Sequence, residues 1–229
     1  ATSMTSTMIT TGSTGVLKFV GATRNITNTG EWVGATTSNN ITFALDPGAN
    51  GTLQTAIKFK VITIASGTVS TSYTINVGSN EANGFISINN GARLVSSRNY
   101  TAAGAQVITL NSVARCGTFI IDSGGILELT AATPVIDCAV FTNTGTVVYS
   151  GGAQTLLQNG SFSTTKGIPI TTYGNLIISG TGAKNFPAND ITVNNDLTVE
   201  IYGSISVPMG KNLTVKNNLI NTASATAVV

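Results

Sequence analysis

Histidine is absent from this chain of 229 residues. That excludes Ser-His-Asp and Cys-His nucleophilic catalysis, together with every His-ligated metal site. Two cysteines alone also fall short of the four ligands of a structural zinc site. Charge is scarce too, with Asp, Glu, Lys and Arg making up 9% of the chain against about 25% in an ordinary soluble protein. Lys and Arg are scattered and the net charge is only +2, so nucleic acid and anionic membranes are not expected partners. No apolar run approaches the roughly 18 residues of a membrane helix, so no membrane insertion is expected. Nor does any window keep the apolar spacing of a helix. A Gly-rich phosphate loop would therefore have no helix to lead into, and no cofactor is expected.

Hydrophobic residues nevertheless reach 41%, so this is not the composition of a disordered chain. Polarity comes from Thr, Ser, Asn and Gly, as in a β-rich extracellular protein with a neutral surface. Within this background one short phrase recurs. Asn175-Leu176-Ile177-Ile178, Asp196-Leu197-Thr198-Val199 and Asn218-Leu219-Ile220-Asn221 follow one another at a nearly constant offset. Ile191-Thr192-Val193-Asn194-Asn195 returns at the same offset as Leu213-Thr214-Val215-Lys216-Asn217. Apolar residues alternate inside each phrase, the period of a strand, and turn-forming residues bound it.

Short strands at a fixed offset predict a stacked repeat in which each unit needs its neighbours to bury its apolar face. The expected fold is all-β, a single-stack parallel β-helix (a β-solenoid) with coils of about 22 residues, its equivalent strands about 4.8 Å apart. Right-handed coiling is the expectation for parallel crossovers. An antiparallel sandwich also has many short strands, but nothing in it requires turn residues at a constant offset. The reading places an irregular arm at 1–15 and the solenoid at 16–229, with about ten coils if it forms one elongated domain. Leu176, Leu197 and Leu219 should share one inward ladder. Ile191 with Leu213, and Val193 with Val215, should form two more. Asn195 and Asn217 should stack in a turn ladder with side chains bonded to each other.

Two further spacings bear on the middle of the chain. Ile86, Ile88, Gly91 and Leu94 share their spacing with Phe119, Ile121, Gly124 and Leu127, and with Ile205, Val207, Gly210 and Leu213. A glycine at a fixed place argues for a recurring bend that glycine makes cheaply. Cys116 and Cys138 lie one repeat apart, which brings them to adjacent coils with Arg115 beside Asp137. Both a disulfide and a pair of buried thiols fit that placement. Asp46-Pro47-Gly48-Ala49-Asn50-Gly51 is the densest cluster of breakers and reads as a loop interrupting the coil.

For catalysis, nine carboxylates remain. Arg115 with Asp122 and Asp137 is the best cluster, since β-helical polysaccharide lyases use Arg or Lys with acidic calcium ligands. A working site needs several convergent groups with perturbed pKa. The plainer reading, a surface pair stacked between coils, is preferred. Catalytic and metal residues are therefore expected to be absent.

Tyr173-Gly174-Asn175-Leu176-Ile177-Ile178-Ser179-Gly180-Thr181-Gly182-Ala183-Lys184 resembles the recurring unit of very large secreted surface proteins of Bacteroidetes. Phe141-Thr142-Asn143-Thr144-Gly145-Thr146-Val147-Val148-Tyr149, followed by Gly151-Gly152-Ala153-Gln154-Thr155, is similar to the unit that commonly precedes it. The resemblance implies an adhesin-like or filament protein of the cell surface, typically exported by the type IX secretion system and in some cases linked to gliding. The expected function is thus a non-enzymatic structural or adhesive solenoid, extracellular or at the cell surface. Neighbouring repeats or copies of itself end to end would be its partners, together with surface polysaccharide. The rivals are a β-helical polysaccharide lyase, hydrolase or carbohydrate-binding module, and an ice- or crystal-binding solenoid. The last needs a flat Thr array, which Thr192 and Thr214 begin but Ile177 and Ile220 break around Thr198. The beginning lacks the regions of a signal peptide and the end is still in phase with the repeat. A piece of a longer repetitive chain, its last coil covered by something outside it, is the expectation.

Overall fold

Alternation of apolar and polar residues becomes alternation of burial wherever a strand is covered on one side. The strand Asn40–Leu45 does this residue by residue, with Ile41, Phe43 and Leu45 buried and their neighbours half-exposed. A computed structural model of the chain describes residues 16–26, 40–77, 84–98, 108–109, 116–159, 168–200 and 202–222. It is all-β without a helix, a parallel β-solenoid of about seven turns with about 23 residues per turn. The expectation of ten turns is too high because some turns are longer than the phrase. Phe85 pairs with Thr118 and Val147 with Leu176, both longer steps along the chain than the one from Leu176 to Leu197.

Each turn visits three faces. In the upper part Phe85–Ile88 lies on the first face, Ala92–Ser96 on the second and Ile108–Thr109 on the third, before Cys116–Ile121 restarts the cycle. Lower down, Asn175–Ile178, Ala183–Asn185 and Ile191–Val193 take the second, third and first positions before Leu197–Val199. The second-face ladder is the longest. It runs in register through Val69, Leu94, Leu127, Val147, Leu176, Leu197 and Leu219. The first six of these are at most 1% exposed, and each contributes about 1.5–3 kcal/mol before entropy is counted. Leu219 breaks the expectation of a uniformly inward row, because it is 55% exposed. Among the described residues no further strand pairs below Leu219–Asn221, so its side chain lacks the lower neighbour that buries the other six.

Ile191 pairs with Leu213, Thr192 with Thr214 and Val193 with Val215. The upper member is buried in both apolar pairs, while Leu213 and Val215 are half-buried. The first and second faces are joined at one level by a single strand, Val61–Thr71. Its beginning pairs with Phe85–Ile88 and its end with Ala92–Ser96, with Gly67 at φ +72° between. An ordinary corner forms at Asp46-Pro47-Gly48, where Gly48 takes φ +79° and the Ala49 N–H donates to the Asp46 carbonyl at 2.9 Å. This is a tight turn between Asn40–Leu45 and Asn50–Leu53, not the interruption that its breaker content suggested. Strand pairing departs from parallel once among the described residues, where Gln158–Asn159 meets Ile168–Pro169 antiparallel.

The three glycine motifs share a bend but not a corner. Ile86 pairs with Phe119, Ile88 with Ile121 and Leu94 with Leu127, so the first two copies stack directly. In the third, Ile205 pairs with Lys184 on the third face and Leu213 with Ile191 on the first. The local conformation persists all the same, with Gly91, Gly124 and Gly210 at φ +77°, +81° and +76°.

Candidate functional site

Outward positions of the strands carry the surface that a partner meets. On the lower first face, Thr172, Thr192 and Thr214 form one register column, about 4.8 Å per rung. On the lower third face, Thr155, Asn185 and Ser206 form another, with Ala183 beside Ser204. These columns carry no charge. The second face differs in one place. Arg93 Nε donates to Glu128 Oε2 at 2.8 Å, and the Ser150 hydroxyl donates to Glu128 Oε1. That links three neighbouring coils through one carboxylate.

Polar groups inside the stack are bonded to backbone or to one another. Lys184 occupies an inward position between Gln154 and Ile205 and is 0% exposed. Its ammonium donates to the Gly151 and Gly152 carbonyls at 2.7 and 2.6 Å. Burial pushes its pKa below the ordinary lysine value, since desolvation penalises the charged form. Gln154 Nε2 donates to the Leu129 and Ala131 carbonyls at 2.9 and 2.7 Å, and its Oε1 accepts the Gly151 N–H at 2.9 Å. Together the two side chains hold the backbone of the corner between the second and third faces. Deeper in the core, the Tyr149 and Tyr173 hydroxyls lie 3.1 Å apart, and Tyr149 Oη accepts the Leu157 N–H at 2.7 Å. Burial raises the pKa of both phenols.

The turn ladder is built from other atoms than expected. Asn195 and Asn217 meet through backbone, the Asn217 N–H donating to the Asn195 carbonyl at 3.2 Å. The Asn217 side-chain amide instead donates to Asp196 Oδ1 at 2.8 Å. Side-chain oxygens cap the next coil one position along. Asn175 Oδ1 accepts the Asp196 N–H at 3.3 Å, and Asp196 Oδ1 accepts the Asn218 N–H at 3.1 Å. The phrase that opens with Asn or Asp therefore supplies an acceptor that docks the coil after it.

Cys116 and Cys138 are register partners, and Cys138 is buried. The trio proposed for catalysis does not converge. Arg115 lies outside the described residues. Asp122 follows Ile121 at one end of a strand pair, while the buried Asp137 precedes Cys138 at the other. At about 3.3 Å per residue, roughly 20 Å separates them. Among the described residues no three of the acidic and cysteine side chains form a group able to hold a metal ion, and no helix is long and apolar enough to cross a membrane.

The fold defines the class, a single-stack parallel β-solenoid. No family model, curated protein or solved structure matches the chain. Sequence reasoning missed the inward polar groups of Gln154, Lys184 and the two tyrosines, because the strands that carry Gln154, Tyr173 and Lys184 are only two or three residues long and give alternation too little length to mark an inward side.

Proposed function

We propose that this chain is a non-enzymatic structural and adhesive solenoid of the cell surface, one length of an extended fibre or adhesin. The observation that carries the reading is how polar groups are divided between surface and interior. Uncharged hydroxyl and amide columns face outward at rung spacing, Thr172–Thr192–Thr214 and Thr155–Asn185–Ser206 among them. Tyr149, Tyr173 and Lys184, whose pKa values are shifted, are each buried and bonded within the stack. A repeated neutral surface on a rigid ladder suits many weak contacts along a polymer, where linked sites add avidity without any single strong one. Export to the surface, neighbouring repeats or copies end to end, and surface polysaccharide complete the proposal.

The test incubates the purified chain with neutral and acidic polysaccharides. It measures retention of the protein and the length of the polymer. Retention with unchanged polymer length is expected. Shortening of any polymer would establish a lyase or hydrolase in its place. Protease added to intact producing cells should remove the protein, and full protection would overturn the surface location.

A further inference from the structure

The turn leading from the second face to the third spans equal lengths in two successive coils. Ile178 pairs with Val199 before it and Ala183 with Ser204 after it, so Thr181 lies in register over Tyr202. The upper turn adopts left-handed backbone at two glycines, Gly180 at φ +71° and Gly182 at φ +85°. The lower turn, closed by the Gly203 N–H donating to the Glu200 carbonyl at 2.9 Å, adopts it at Tyr202, φ +68°. No other described non-glycine residue has positive φ.

A bulky side chain in this region is strained, and such strain persists only where surrounding structure imposes it. Burial commonly offsets a cost of this kind, but Tyr202 gains little. Its side chain is 76% exposed, in contrast to Tyr149 and Tyr173, which are fully buried and bonded to each other. Glycine would relieve the strain and lose little buried area. The ring is therefore explained by a contact outside the fold.

Its surroundings narrow the chemistry. The ridge above it is mostly glycine, Gly151, Gly152, Gly180 and Gly182, with the exposed Thr181 the side chain in register over the ring, so a broad flat ligand meets little bulk there. The outward column of the strand that follows, Thr155, Asn185 and Ser206, offers uncharged donors and acceptors. An aromatic face is electron-rich at its centre and suits the C–H face of a pyranose, while hydroxyl and amide groups suit the rim of hydroxyls around it. We propose that Tyr202 is the stacking platform of a subsite for a neutral polysaccharide, with Thr181, Asn185 and Ser206 at its edge. The proposal rests on the adhesive reading above and names the residue that carries it.

The experiment is affinity electrophoresis of the full chain in gels containing laminarin, xylan, dextran or mannan, with melting temperatures measured in parallel. The wild-type chain should be retarded in at least one gel. Tyr202→Ala should weaken that retardation at least tenfold, and Tyr202→Phe should stay within about threefold of wild type. Tyr202→Gly should lose retardation while melting at or above the wild-type temperature. Wild-type retardation left intact by Tyr202→Ala would overturn the subsite and leave the adhesive reading standing. No retardation of the wild-type chain in any gel would overturn both. Melting of Tyr202→Gly below wild type would remove the argument from strain. A loss of self-association on Tyr202→Ala, with retardation unchanged, would reassign the ring to a protein contact.

Discussion

Leu176 and Leu219 stand at the same place in the same recurring phrase and in the same register column, yet one is fully buried and the other 55% exposed. Truncating each to alanine removes three carbons. For Leu176 the transfer loss is about 2.4 kcal/mol at roughly 0.8 kcal/mol per methylene. A closed cavity between Val147 and Leu197 adds to it, which brings the total to about 3–5 kcal/mol. For Leu219 about half the transfer term applies and no closed cavity forms, so about 1 kcal/mol is expected. Because stacked repeats can open locally, the assay should combine urea titration with hydrogen exchange. Amides of Leu176 and Leu197, bonded to the coils below them, should lose protection in Leu176→Ala and keep it in Leu219→Ala. Equal losses from the two substitutions would refute the reasoning, for they would mean that Leu219 is covered as completely as Leu176.

Gly145→Ala should destabilise by about 1–3 kcal/mol or more, because its new Cβ would sit 2.3 Å from the Asp122 carbonyl oxygen and 2.4 Å from that of Gly125. Gly91→Ala meets nothing within 4 Å and should cost only its left-handed backbone, about 1–2 kcal/mol; urea midpoints separate the two. Lys184 has a folded pKa below its unfolded one, so the unfolded chain holds that proton more firmly. Its linkage term should make stability rise with pH from the folded pKa up to about 10.4, the ordinary lysine value. Lys184→Met should abolish this rise. The tyrosines act in the opposite sense. Their raised folded pKa values make stability fall once the unfolded phenols ionise near about pH 10. Tyr149→Phe should reduce that fall, measured as urea midpoint against pH. Glu128→Gln should cost no more than about 1 kcal/mol, since Arg93 is 39% exposed and water screens the pair. Raising salt should shrink the effect further.

The parallel stack was legible because Asn-Leu-Ile-Ile and its relatives return at an offset close to one coil, and register pairing follows that offset from Leu176 to Leu219. Turn count was less legible. The shorter coils repeat visibly, but the long step from Phe85 to Thr118 is marked only by the spacing of the glycine motif, whose third copy falls at a different corner. Strands on the third face are only two or three residues long, too short for alternation to declare an inward side. Lys184 therefore looks like a surface lysine, and only its pairing with Gln154 and Ile205 reveals that it points inward. Local bend and global corner were also inseparable in sequence. Gly210 repeats the backbone of Gly91 and Gly124, yet its neighbours join a different pair of faces. Tyr202 gave no sign at all, because left-handed backbone at a tyrosine is a property of the turn and not of the residue.

The direction of the strands has a mechanical consequence. Every rung lies across the stack, so backbone hydrogen bonds point from coil to coil along its length. Tension applied between the two ends loads those bonds directly, one interface after another, instead of shearing a whole sheet at once. The weakest interface yields first. When a coil of about 23 residues peels away, it replaces a rise of about 4.8 Å with roughly 75 Å of extended chain. Force on the tether then drops, and the coils behind it remain intact. A rod of this construction stretches in discrete steps and dissipates work at each, as a shock absorber does, before any attachment at its end is asked to carry the load.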